Sequence, residues 1–146
     1  MDNYYFNNEG YPDPTAFKAI KKADKKPYRP LVYICSPYAG DIAANVSNAQ
    51  RYCRFAVDSG CTPIAPHLLF PQFMDDSNNE ERKLGLFFGI VLLSKCKEVW
   101  VFGDTISSGM QREIDYAKRR NTPIKYFTNE CTIRDYPYKE VAINSL

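Results

Sequence analysis

The sequence predicts a single three-layer α/β domain around a mostly parallel sheet of four to five strands, Rossmann/flavodoxin-like in plan. Two observations carry this expectation. Short β-rich apolar runs alternate with amphipathic helical stretches, and most of the connections between them are too short for anything but immediate packing.

The first run is Leu31-Val-Tyr-Ile-Cys-Ser36, compact and β-rich, which reads as a buried strand. Pro37-Tyr38-Ala39-Gly40 then leads to Asp41, a good N-cap. Ile42, Val46, Ala49, Cys53 and Ala56 recur at three- and four-residue steps, one face of a helix, and Gly60 stands where such a helix ends. Residues 62–65 form the next strand, and 66–79 form a long loop rich in Pro, Asp and Asn. A helix over 79–95 is apolar nearly all round at 84–93, which means either deep burial or a subunit contact. Glu98-Val-Trp-Val-Phe102 is the third strand, 108–121 the third core helix and Pro123-Ile-Lys-Tyr-Phe127 the fourth strand. The chain thus divides into an appendage (1–30), a core (31–127) and a tail (128–146) that could add an edge strand. In the appendage, Asp13-Pro14 opens a short helix over 14–24, which the prolines at 27 and 30 close.

At 146 residues, 45% hydrophobic and 25% charged, the chain has the length and composition of one folded domain. A net charge of +2 gives no concentrated basic face, so nucleic acid is not an expected partner. The lysines between 18 and 26, with Arg29, read as a solvated helix side and linker. Five cysteines lie far apart without a C-x-x-C pair, the usage of a reducing compartment and not of a zinc or disulfide site. Residues 1–10 lack the apolar core of a secretory signal, and the longest uncharged apolar run, 84–93, is about half of a membrane span. A cytoplasmic protein with no membrane contact is therefore expected.

In open parallel sheets, ligands sit beyond the carboxyl ends of the strands. The loops there are 37–41, 67–76 and 103–109. Ser107 and Ser108 fall where the third helix begins, and Gly109 leaves space above its first turn. These residues either receive an anion or hydroxyl at exposed N–H groups, or Ser107 simply caps the helix. Glu113 lies at the edge of the face shared by Met110, Ile114, Ala117 and Asn121. A helical side chain leans toward the N-terminus, so its carboxylate should pass Gly109 into the crevice. Its i±4 neighbours, Gly109 and Ala117, and its i±3 neighbours, Met110 and Tyr116, offer no ion pair. His67, the single histidine, stands just past a strand end, as either a structural hydrogen-bond donor or a proton carrier. Asp104 follows Phe102-Gly103 at the crevice, Asp75 and Asp76 lie in the long loop, and Tyr38 and Phe70 could stack on a base or sugar.

From 31 to 127 the chain resembles the nucleoside 2-deoxyribosyltransferase-like superfamily, in an uncharacterised branch found in bacterial and phage genomes. The likeness rests on Tyr33-Ile-Cys-Ser-Pro-Tyr38 and on Ser107-Ser-Gly-Met-Gln-Arg-Glu-Ile-Asp-Tyr-Ala117. The resemblance implies a Glu113 nucleophile that attacks C1′ of a nucleoside or nucleotide and forms a glycosyl-enzyme. It implies a (deoxy)nucleoside 5′-monophosphate, because Ser stands at 107 where transferases of free nucleosides tend to carry an acid. Ser107, Ser108, Gly109 and Met110 would then hold the phosphate end, and Ser36, Tyr38, Gly40, Asp41 and Phe70 the sugar or base. The proton for the leaving base would come from His67 or Asp104, with Asp75 and Asp76 as further candidates. The family usually has an acid where this sequence has Gly89. That difference keeps open a non-catalytic binding protein for a nucleotide or ADP-ribose-like signal. A third possibility is an interaction module that works through residues 1–30. No cofactor or metal is implied, and a homodimer or larger assembly is.

Overall fold

A computed structural model describes residues 28–134 together with Thr15 and Lys18. The expected helix over 14–24 lies outside the described residues apart from those two, which are both helical, as does the tail beyond 134. Strands β1 (Leu31–Cys35), β2 (Thr62–Ile64), β3 (Glu98–Phe102) and β4 (Ile124–Phe127) form one sheet. Their order is β2-β1-β3-β4 and every pair is parallel. Helices α1 (Ile42–Asp58), α2 (Asn79–Leu93) and α3 (Ser108–Arg119) connect them in turn. The expected class therefore holds, with four strands. Beyond β4 the described residues add a single antiparallel bridge, Ile133 to Phe127.

Period-two alternation divides the core between the two faces of the sheet. Val32 and Ile34 of β1 and Trp100 and Phe102 of β3 pack on Tyr52 and Ala56 of α1. Tyr52 stacks on Phe102 with centroids 4.2 Å apart, and Phe102 stacks in turn on Phe127 at 5.0 Å. On the opposite face Tyr33, Cys35, Val99 and Val101 pack on Leu93 at the end of α2 and on Met110, Ile114 and Ala117 of α3. All five cysteines are free thiols, three of them buried.

Each helix begins where a side chain can take its orphan N–H groups. Asp41 accepts from the Ala44 N–H, Asn78 from Glu80 and Glu81, and Ser107 from Met110. Helix α1 ends at Gly60 with φ +84°, a conformation that suits glycine. Segment 66–79, expected as loop, contains two 3₁₀ turns, Pro66–Leu68 and Phe70–Gln72, each led by a proline in its first turn.

Helix α2 is only partly buried within the chain. Gly89 and Leu93 are buried, while Leu84, Leu86, Phe87 and Val91 remain exposed. Its apolar circumference is thus half core and half open surface. No described helix is long and apolar enough to cross a membrane.

Candidate functional site

The parallel connections bring the N-termini of α2 and α3 to the carboxyl end of the sheet, on one face. Between them lies a cavity of about 240 Å³. Its floor is made by Tyr33 of β1, Gly89 of α2 and Glu113 of α3. The Tyr33 hydroxyl donates to Glu113 Oε1 at 3.0 Å. A Cβ added at Gly89 would stand 3.3 Å from that same hydroxyl. Glycine there lets α2 close over the phenol.

Burial raises the Glu113 pKa to about 7, although the Cys35 thiol, the Tyr33 hydroxyl and the Arg112 charge pull it back down. Both donors stay protonated. Burial first, then the Glu113 charge, holds the Tyr33 phenol and the Cys35 thiol well above their usual values. Cys35 Sγ also reaches the Met110 carbonyl oxygen at 3.8 Å. Near neutrality Glu113 is therefore divided between carboxylate and acid.

Above the floor, His67 and Phe70 come from the 3₁₀ turns and Ser36 and Tyr38 from the end of β1, all lining the cavity. Ser36 Oγ and His67 Nε2 are 3.0 Å apart, and the Tyr38 and His67 rings are tilted with centroids 6.4 Å apart. Burial lowers the His67 pKa to about 4, so the imidazole is neutral near pH 7. At the other end Ser107, Ser108, Gly109 and Met110 line the wall. Ser107 Oγ caps the Met110 N–H at 3.2 Å, so the capping role is real. The N–H groups of Ser108 and Gly109, in the first turn, have no intrahelical acceptor.

The structure separates three expected residues from this cavity. Gly40, with φ +97°, turns the chain into α1 and lines neither cavity at the strand ends. Asp41 spends its carboxylate on the Ala44 N–H at 3.1 Å, which explains why it is not at the ligand wall. Asp104 lines a second cavity, where Arg134 pairs with it and Asn129 Nδ2 donates to it at 3.0 Å. Asp75 is likewise occupied: its carboxylate accepts from the Ser77 N–H and hydroxyl, which hold it below the usual carboxylate range. Asp76 does line the cavity rim.

Residues the sequence did not single out complete the site. Tyr33 read as a strand core residue; the available signal was that a buried tyrosine needs a partner for its hydroxyl. Arg82 of α2 and Arg112 of α3 line the mouth, both exposed. Nothing in their local spacing tells them from other surface arginines.

Fold and site together define a three-layer α/β protein with a carboxyl-floored cavity at the switch point of its sheet. The chain belongs to the family described as Domain of unknown function (DUF7768), which residues 30–127 match. No curated protein is significantly similar to it. Among solved structures it is similar to a 2-deoxyribosyltransferase from the psychrotolerant bacterium Bacillus psychrosaccharolyticus. There the TM-score is 0.56 and the identity 18%, over 75% of this chain and 85% of that one. It is also similar to the 2-deoxyribosyltransferase of Leishmania mexicana, with TM-score 0.50 and 11% identity over 75% and 83% of the two chains. At these identities the likeness is one of fold.

Proposed function

We propose that the protein cleaves or transfers the N-glycosidic bond of a (deoxy)nucleoside 5′-monophosphate, with Glu113 as nucleophile. The observation that carries this reading is the Glu113 carboxyl on the cavity floor, held by Tyr33, beside the open N–H groups of Ser108 and Gly109. A Glu113 oxygen would attack C1′ while the glycosidic electron pair leaves with the base nitrogen, and water or a second base would then displace the glutamyl ester. Of the groups considered for protonating the base, His67 and Asp76 line this cavity, with water as an alternative. The fold likeness to enzymes named as 2-deoxyribosyltransferases supports the reading. Aromatic walls at Tyr38 and Phe70 suit a base.

A phosphate suits the opposite end, where a helix N-terminus meets two arginines. Replacing Arg112 by Ala should raise KM for nucleoside monophosphates about tenfold and leave that for free nucleosides within twofold. Equal losses on both substrates would remove the phosphate assignment.

The test of the whole reading is chromatography for free base after incubation with each nucleoside monophosphate, beside Glu113→Gln. Tight binding without release, indifferent to that substitution, would support instead a binding protein for a nucleotide-like signal, the reading that Gly89 favours.

The same proposal includes a cytoplasmic homodimer or larger assembly. Leu84, Phe87 and Val91 share the exposed side of α2, next to Arg82 and Leu86 at the cavity mouth. Phe87→Lys should give a folded monomer by light scattering, and an unchanged size would exclude α2 as the contact.

A further inference from the structure

The second cavity, about 290 Å³, opens on the α1 side of the same strand ends and shares Ser36 with the first. Asp104 is the one carboxylate in its lining, and Arg134 pairs with it, which leaves the cavity nearly neutral. Among the described lining residues an ionic ligand finds no unpaired counter-charge, whereas a neutral polar one loses little by entering.

Two carboxamides on α1 have their orientation set by neighbours. Asn45 Nδ2 donates to the carbonyl oxygens of Tyr38 at 2.9 Å and Ala39 at 3.0 Å, which leaves Oδ1 as its acceptor for a ligand. Asn48 Oδ1 accepts from Arg51 at 3.3 Å, which leaves Nδ2 as a donor. The two residues are three apart on one helix face, so an acceptor stands beside a donor. Thr105 adds a hydroxyl from the loop after β3. An acceptor next to a donor complements an amino group beside a ring nitrogen on a nucleobase edge, the pairing that carboxamides make with adenine.

We propose that this second cavity binds a free nucleobase, at a site distinct from the Glu113 cavity. The identity of the ligand rests on the proposed reaction, which would release such a molecule next door. The two sites are joined by covalent and hydrogen-bonded structure. Asn45 holds the Tyr38 and Ala39 carbonyls, both residues lining the first cavity, and Ser36 meets His67 there. A base against Asn45 and Asn48 therefore acts on the wall that holds the substrate, and by linkage the substrate acts back on the base.

The experiment is calorimetric titration of the full chain with free adenine and, separately, cytosine. One of the two should bind at one per chain to wild type and to Glu113→Gln. It should still bind Glu113→Gln saturated with the corresponding nucleoside monophosphate, with affinity changed by the coupling but not abolished. Asn48→Leu should weaken it at least about tenfold, the cost of losing a buried base contact. Thr105→Val serves as the second variant should Asn48→Leu fail to fold by circular dichroism. Displacement of the base by the monophosphate would place both in one site and overturn the proposal. So would binding indifferent to Asn48 and Thr105, or no binding of either base. Base binding that depends on Asn48, in a protein that releases no base from any nucleotide, would retain this site and sink the catalytic reading alone.

Discussion

Replacing Glu113 by Gln should abolish base release from nucleoside monophosphates, by about 10³-fold or more, while making the folded chain more stable above neutral pH. The first half follows from the proposed chemistry. A carboxamide cannot form the glycosyl ester, so turnover falls by the loss expected when a covalent nucleophile is removed. Binding should persist, because the Gln oxygen can still accept from the Tyr33 hydroxyl, which donates at 3.0 Å in the native site.

The second half is a linkage argument with a definite sign. The Glu113 pKa rises from 4.5 to about 7 on folding, chiefly by burial. Between those values the native state binds the proton that the unfolded chain has released, so stability falls as pH rises through this window and is level above it. The carboxylate form therefore costs the fold up to about 3 kcal/mol at pH 8, taking about 1.4 kcal/mol per unit. Gln carries no such cost. The melting temperatures of the two proteins should lie close at pH 4.5 and diverge in favour of Glu113→Gln by pH 8. Parallel curves across that range would mean that Glu113 ionises as freely in the fold as outside it. A site residue that opposes stability is what a group maintained for chemistry would look like.

How much of this was legible in sequence depended on the distance over which each residue finds its partner. Asp41, Ser107 and Gly60 act on atoms a few positions away, and each has the capping or turn role its place in the sequence implied. Strand β3 occupies the five residues its composition picked out, because a run such as Val-Trp-Val-Phe has no stable alternative to burial on both faces. Glu113 stood out because its own helix left it without an ion-pair partner. Its true partner is Tyr33, eighty residues earlier, and only the sheet order and the closeness of Gly89 bring the two together. Asp104 likewise finds its partner far away in sequence. Arg134, thirty residues later, claims its carboxylate once β4 has turned the chain back across the strand ends. His67 was placed correctly beyond β2, but its titration was invisible until its burial was known.

The Tyr33 contact gives the second large expectation. Its hydroxyl favours the ionised form of Glu113, and a hydrogen bond to a charged group is worth about 1.5–3 kcal/mol. Tyr33→Phe should therefore lift the Glu113 pKa by about 1 unit or more from its value of about 7. Because the ionised fraction governs attack, base release at pH 7 should fall by about five- to tenfold, while the midpoint of the pH–rate profile moves up by the same unit. At pH 9 most of the rate should return, since alkali supplies the ionisation that the phenol supported. The substitution also tests the floor itself. Gly89 leaves little room, with a Cβ there only 3.3 Å from the hydroxyl, so removal of that oxygen opens a gap too small for neighbouring side chains to fill. If Tyr33 only shapes the floor, the rate should drop equally at every pH with an unmoved midpoint. A moved midpoint with recovery in alkali would instead identify the hydroxyl as the group that sets the ionisation of the proposed nucleophile.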